Sequence, residues 1–289
     1  MTGKIAWPGG ARSAVLLTFD YDAETLWFAR DATNLRRPSI FSQGTFAPKV
    51  GVPKVLELFR DLDVKGTFFT PGWTVERHPA SLEAILKDGH EVGHHGYLHK
   101  WIDPDNYPAE VEEMDKGLEA HERVLGVRPR GYRPPAATSS ERTIQLVADR
   151  GFLYCSIMMD DVNPYRHVLA DGRPGPVDIP FWWTLDDSMV SLYSIPMPRP
   201  IFTSRHIFDL WKEEFDAHYD WGALVHLLLH PQIIGRPGRL AMLRRFIQYM
   251  QKKNVWFGTC EEVARLWING DPTRAAPRLK PKKKLRRRA

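Results

Sequence analysis

Cysteine is scarce in this chain of 289 residues: only Cys155 and Cys260 are present. Two cysteines are far too few for a disulfide framework or a CxxC zinc site. Long apolar runs are missing as well. Nothing approaches the ~20 consecutive apolar residues that would cross a bilayer. The opening residues, Met1 to Gly10, hold no apolar stretch of signal-peptide length. The expectation is a cytoplasmic protein without a membrane partner. A basic body is the third absence. The net charge is +5, but residues 271–289 hold nine Lys/Arg and one acid, which leaves 31 bases against 34 acids in the rest. The remainder is mildly acidic, so no specific nucleic-acid partner is expected. The Pro- and Lys/Arg-rich tail cannot bury a core and is expected to be disordered, binding polyanions weakly at most. With 43% hydrophobic and 26% charged residues the balance is that of an ordinary globular protein. The organisation read from this is one domain over 1–270 followed by a basic tail over 271–289.

What is present is an alternation of short apolar runs with helix-period segments. Ala14 to Phe19 reads as a buried strand ending in acids, followed by a loop containing Pro, Gly and Ser. Pro53 to Leu62 reads as an amphipathic helix with Pro in its first turn. Strands are expected at Lys65–Thr70, Glu91–Gly93, Arg130–Arg133, Tyr154–Ser156, Ala223–Leu229 and Val255–Phe257. Helices are expected at Ala80–Lys87, Glu110–Leu125, Ser140–Arg150, Ile207–His218, Leu240–Lys252 and Cys260–Ile268. From Ser156 to about Val177 the periodicity fades, and Pro164, Pro174 and Pro176 suggest an elaborated loop. Strands alternating with helices at this spacing imply parallel βα units and an α/β barrel.

In such folds functional groups gather at the carboxyl ends of strands, and four of these ends are polar. The first is Thr18-Phe-Asp20-Tyr-Asp22, where extended backbone would point both acids to one side. Two carboxylates sharing a site need a cation or a proton between them, although a turn or capping pair reads equally well. The second runs from His90 to His99 and holds four of the eleven histidines, His90, His94, His95 and His99. The four-residue step from His95 to His99 lets two imidazoles reach one metal, without the helical context of HExxH. The third is Arg133-Pro-Pro, where two prolines fix the backbone and hence the aim of a guanidinium able to clamp a carboxylate. The fourth places His230 at the end of an apolar strand, as a general acid with a pKa near neutrality, and His226 inside that strand as a core or supporting residue.

Together these residues resemble the polysaccharide deacetylase family, the NodB-homology fold, over about residues 13 to 268. The resemblance implies a distorted (β/α)7-type barrel as a catalytic domain that hydrolyses non-peptide carbon–nitrogen bonds with one divalent metal ion. Zinc is the ion expected for two His and one Asp. It implies that Asp20 is the catalytic base, that Asp22, His95 and His99 are metal ligands, that Arg133 orients the base and that His230 is the acid. The family's acid pair is adjacent and followed by Gly, whereas here Tyr21 intervenes and Ala23 follows. That departure, with the runs Gly93 to His99 and Asp178 to Asp187, is similar to an atypical branch of peptidoglycan deacetylase-like, allantoinase-like and cyclic-imide hydrolase proteins. Members of that branch are often tetrameric, so a homo-oligomer, tetramer or dimer, is expected. The reaction type is N-deacetylation; the alternative is hydrolysis of a small cyclic amide of imide, hydantoin or allantoin type. The loops carrying Trp182 and Trp183 suit a closed pocket for such a ring. A further alternative is a metal-free binding module on the same fold. Substrate-binding residues are not assigned.

Overall fold

Eight consecutive buried residues, Ser13–Asp20, form strand β1. A strand buried on both faces belongs inside a parallel sheet covered by helices. The computed structural model describes residues 5–193 and 199–270, so the basic tail expected over 271–289 lies outside the described residues. From β1 the sheet steps outward in parallel through β2 (Thr67–Thr70), β3 (Glu91–His94), β4 (Gly131–Tyr132) and β5 (Tyr154–Cys155). Beyond β5, strands β6 (Tyr165–Val168) and β7 (Pro174–Asp178) form an antiparallel pair, of which β7 joins β5 in parallel. On the other edge of β1 lies β8 (Leu224–Leu229). Strand β9 (Val255–Gly258) pairs with Ser13 to Leu16, the half of β1 that β2 leaves free, since β2 pairs only from Thr18 onward. The result is the expected distorted α/β barrel, curled and open, with a single bridge between Asp186 and Leu228 spanning toward β8.

Helices cover the outside because their apolar residues fall on one stripe. Helix Val52–Leu62 buries Val52, Val55, Leu56, Leu58 and Phe59 and ends on Asp63 in the left-handed conformation. Its Phe59 meets Phe19 edge-on, and Phe19 stacks on Phe68 at 4.5 Å between centroids. Helix Cys260–Asn269 starts with a capping box between Thr259 and Glu262. Among the described residues, no helix is long and apolar enough to cross a membrane.

Two segments depart from the sequence expectation. The loop read after β1 contains helices Thr25–Phe28 and Pro38–Phe46, the second passing through a π turn, Ala47–Gly51, into helix Val52–Leu62. Gly51 looks like a loop residue in sequence, yet it sits where a Cβ would come within 2.3 Å of the Pro231 carbonyl oxygen. It is a contact glycine, and periodicity does not register contacts. The stretch from Ser156 to Val177 is likewise not all loop. It holds the β6–β7 pair, with a register shift between Arg166 and Val168. Pro174 and Pro176 are tolerated in β7 because they precede Val177, where its pairing with β5 begins.

Helix Tyr107–Leu125 packs over β3 through Gly117. A Cβ on Gly117 would meet His94 Nε2 at 2.3 Å and the Gly96 carbonyl oxygen at 2.7 Å. Gly117→Ala should therefore destabilise the fold by about 1–3 kcal/mol, the usual cost of overpacking. Chemical denaturation measures this, and a loss below about 0.5 kcal/mol would show that the helix shifts freely.

Candidate active site

The carboxyl ends of β1, β3, β4 and β8 converge, and each delivers one of the four polar motifs. Asp20 is the last residue of β1, and the chain stays extended for one more step: the Tyr21 N–H donates to the Phe69 carbonyl at 2.8 Å. Tyr21 is fully buried in the core, its hydroxyl donating to Ser81 at 2.9 Å. Alternation then sends Asp20 and Asp22 to the opposite, site-facing side. The inserted tyrosine, which separates this pair from the family pattern, thus serves the core.

The histidine run divides. His90 accepts from the Gly66 N–H at 3.2 Å, and burial pushes its pKa down to about 4. His94 donates from Nε2 to the Met114 carbonyl at 2.9 Å and accepts from the Gly96 N–H at 3.1 Å. Both are occupied in packing. His95 and His99 face the acids. His95 Nδ1 donates to the Arg133 carbonyl at 2.7 Å, and its Nε2 lies 3.4 Å from Asp22 Oδ1 and 3.6 Å from Asp20 Oδ2. Burial would lower the His95 pKa, but these two carboxylates outweigh burial and raise it. His99 Nε2 stands 3.5 Å from the same Asp22 oxygen. Burial pushes the His99 pKa down to about 4, its neutral, ligating form. Burial would raise the Asp22 carboxyl, but the imidazoles of His99, His95 and His230 outweigh it, and its pKa is lowered.

Arg133 is 1% exposed and fully engaged. Its Nη1 donates to Asp20 Oδ1 at 2.7 Å; its Nη2 reaches Thr18 at 3.0 Å, Ser156 at 3.1 Å and His226 Nε2 at 2.8 Å. The guanidinium also lies 4.1 Å from the centroid of Phe69. His226 donates its other nitrogen to the Pro180 carbonyl at 2.8 Å, and burial followed by the Arg133 charge lowers its pKa to about 3. A neutral His226 buttressing Arg133 is the supporting residue expected from its place inside the strand.

His230 departs from expectation. Burial alone would lower its pKa. However, Nδ1 donates to Asp187 Oδ1 at 2.7 Å, and the charges of Asp187, Asp186 and Asp22 add to that bond, so the pKa is raised to about 10 rather than lying near neutrality. Its Nε2 points inward, 3.9 Å from Asp22 Oδ2. Asp186 and Asp187 are the site residues that the sequence reading did not single out. Two consecutive acids behind an aromatic run were the available signal, but only the fold brings them to His230.

Whether these residues suit a metal ion can be judged from their unused atoms. One donor atom each from Asp22, His95 and His99 lies within 4.8 Å of the others, and all three residues are buried. Both Asp22 oxygens and His95 Nε2 have no hydrogen-bond partner, and His99 turns Nε2 toward the same Asp22 oxygen. Buried polar atoms left unpaired cost about 1–3 kcal/mol each, and a divalent cation between Asp22, His95 Nε2 and His99 Nε2 would satisfy the Asp22 and His95 atoms. Two other clusters, Cys155–His167–Asp178 and Asp186–Asp187–His230, have comparable spacing. Their atoms are already paired: His167 and Cys155 both donate to Asp178 Oδ2, and His230 donates to Asp187. The backbone is strained at the same place. Of five non-glycine residues with positive φ among the described residues, Ala23, His99, Ala136 and Ala137 adjoin or line the site, and such strain clusters at functional sites. A cavity of about 600 Å³ opens above, lined by Asp20, His99, Arg133, Trp183, Asp186 and His230 among others.

The sequence model of the family described as polysaccharide deacetylase matches residues 9–155. The chain is 30% identical over 265 residues to the peptidoglycan deacetylase of Helicobacter pylori, covering 81% of this chain and 89% of that one. The crystal structure of a Mycobacterium smegmatis protein assigned as a polysaccharide deacetylase superposes with a TM-score of 0.86 at 36% identity, over 98% of both chains. The crystal structure of PuuE allantoinase superposes with a TM-score of 0.79 at 26% identity, over 92% of this chain and 93% of that one.

Proposed function

The chain belongs to the polysaccharide deacetylase family, hydrolases of non-peptide carbon–nitrogen bonds, and within it we propose that this protein is a metal-dependent N-deacetylase. The observation that carries the reading is the buried, unpartnered oxygens of Asp22 and Nε2 of His95, faced by His99 Nε2 and placed between Asp20 with its Arg133 and His230 with its Asp187. An ion held by those three residues, zinc by the donor set, supplies Lewis acidity toward water and the amide carbonyl.

The chain's own groups do the rest. Asp20 is aimed by Arg133, Thr18 and Ser156 fix that guanidinium, and Asp20 Oδ2 is free to take a proton from the attacking water. Arg133 balances the carboxylate charge without releasing a proton of its own. His230 carries a proton on Nε2, stabilised from behind by Asp187. Giving that proton to the departing nitrogen lets it leave as an amine rather than as an amide anion. Asp187 is a positioning residue. Asp187→Asn should lower kcat by about 10- to 100-fold, short of the roughly 10²- to 10⁴-fold worth of a whole acid–base group. It should also move the alkaline limb of the kcat–pH profile to lower pH, because His230 then loses its proton earlier. An unshifted limb would show that Asp187 does no more than hold the loop.

A second reading, hydrolysis of a small cyclic amide, is favoured by one observation. The cavity of about 600 Å³ has apolar walls of Leu26, Trp183, Met189, Val190 and Leu192, the size and lining of a small-molecule pocket. A hydrolysis screen of N-acetyl sugars, cyclic imides and allantoin, with and without added Zn²⁺, separates the two. Zinc-dependent release of acetate supports deacetylation, and ring opening supports the cyclic amide. No turnover of any carbon–nitrogen substrate would contradict both.

A further inference from the structure

The pocket holds two cations that the hydrolytic chemistry does not use. Arg30 and Arg199 line the same cavity as Asp20, His99 and His230. Some arginines elsewhere meet carboxylates, as Arg37 meets Asp31 and Arg60 meets Asp88, while others such as Arg36 and Arg77 do not among the described residues; what sets Arg30 and Arg199 apart is that both line one cavity. Neither pocket arginine has such a partner among the described residues. Arg199 donates from Nη1 only to the Ser188 carbonyl at 3.3 Å and lies against the Met189 sulfur at 3.4 Å. The Arg30 guanidinium sits 6.0 Å from the ring centroid of Trp101, a side chain 53% exposed at the mouth. Desolvation and the Arg199 charge both lower the Arg30 pKa, with Asp22 opposing them. Arg30 lies on the exposed rim and Arg199 is half-buried. Two guanidinium groups lining one cavity repel each other, and an anion between them offsets that repulsion. Because the body is mildly acidic, general electrostatic steering does not draw anions here. These two side chains must supply the attraction locally.

We propose that the substrate is an anionic amide: a molecule carrying a carboxylate away from the scissile carbon–nitrogen bond, with Arg30 and Arg199 holding the carboxylate and Trp101 covering it. This rests on the hydrolase reading above and narrows its substrate class. The carboxylate can be borne by a small ring amide or by an acidic substituent on an acetylated sugar. Two matched pairs distinguish these sources: hydantoin-5-acetate against its methyl ester, and N-acetylmuramic acid against its methyl ester. With the zinc-loaded full chain, the acid of one pair should exceed its ester in kcat/KM by about 10- to 100-fold, the worth of a charge-assisted hydrogen bond. The pair that responds names the source. The preference should weaken as salt rises, vanish in an R30Q/R199Q protein and survive in part in R30K/R199K, which keeps the charge but not the fork. Acid and ester turned over alike, or a preference that persists in R30Q/R199Q, would overturn the proposal. If neither pair is hydrolysed and the screen above also finds no turnover, the hydrolase reading is what fails. Calorimetric binding of the same four compounds then decides the anion question: tighter binding of an acid, lost in R30Q/R199Q, upholds it, and equal or absent binding overturns it.

Discussion

Asp22→Asn is expected to yield a folded protein without a bound divalent ion and without turnover. Asp22 is fully buried, both of its oxygens lack hydrogen-bond partners, and among the described residues it is the one carboxylate within 3.5 Å of both His95 Nε2 and His99 Nε2. An amide oxygen is a much poorer ligand than a carboxylate for a borderline cation. Losing a direct ligand should cost more than the roughly 10- to 100-fold in affinity typical of losing a supporting hydrogen bond around a metal. Elemental analysis of protein purified without added metal, with a calorimetric zinc titration, measures the change. Full occupancy in the Asn variant would remove Asp22 from the ligand set.

Asp20→Asn should give the complementary result, with the ion retained and kcat lowered by on the order of 10² to 10⁴, the contribution of a general base. The amide keeps the hydrogen bond from Arg133 Nη1 through its own oxygen but cannot accept the proton of the attacking water. His230→Ala should likewise retain the ion, with the loss greatest for substrates whose leaving nitrogen is most basic. The paired comparison is decisive because Asp20 and Asp22 are separated only by Tyr21. If Asp20→Asn empties the site and Asp22→Asn does not, the two roles are exchanged. If neither substitution affects turnover of any carbon–nitrogen substrate, the chain has kept the family's fold without its chemistry.

The sequence made the site legible where chemistry conflicts with local structure. Apolar strands have no need of Asp20, His95, Arg133 or His230 at their ends, so those residues stood out, and the structure brings them together with Asp22 and His99. The alternation that places Asp20 and Asp22 on one side was also readable, because it depends only on extended backbone. Other features were not. Asp186 and Asp187 act through His230, which lies over 40 positions away, and nothing in their neighbourhood signals that contact. The pKa of His230 follows from those two acids, and for that reason the neutral value expected from the residue type was wrong. Arg30 and Arg199 look like ordinary surface arginines until the fold brings both to the cavity of Asp20, His99 and His230. The helices between β1 and β2 were hidden by glycines whose purpose is close contact, and the β6–β7 pair by the prolines at the start of β7, ahead of its pairing with β5.

The decisive measurement is a zinc titration of chelator-stripped protein, with hydrolysis followed in parallel on the best substrate from the screen. Stripped protein should be inactive, and turnover should rise in proportion to zinc and level off at one ion per chain. The three-ligand site is contradicted if the stripped protein turns over as fast as the untreated protein, or if it takes up less than about a tenth of an ion per chain.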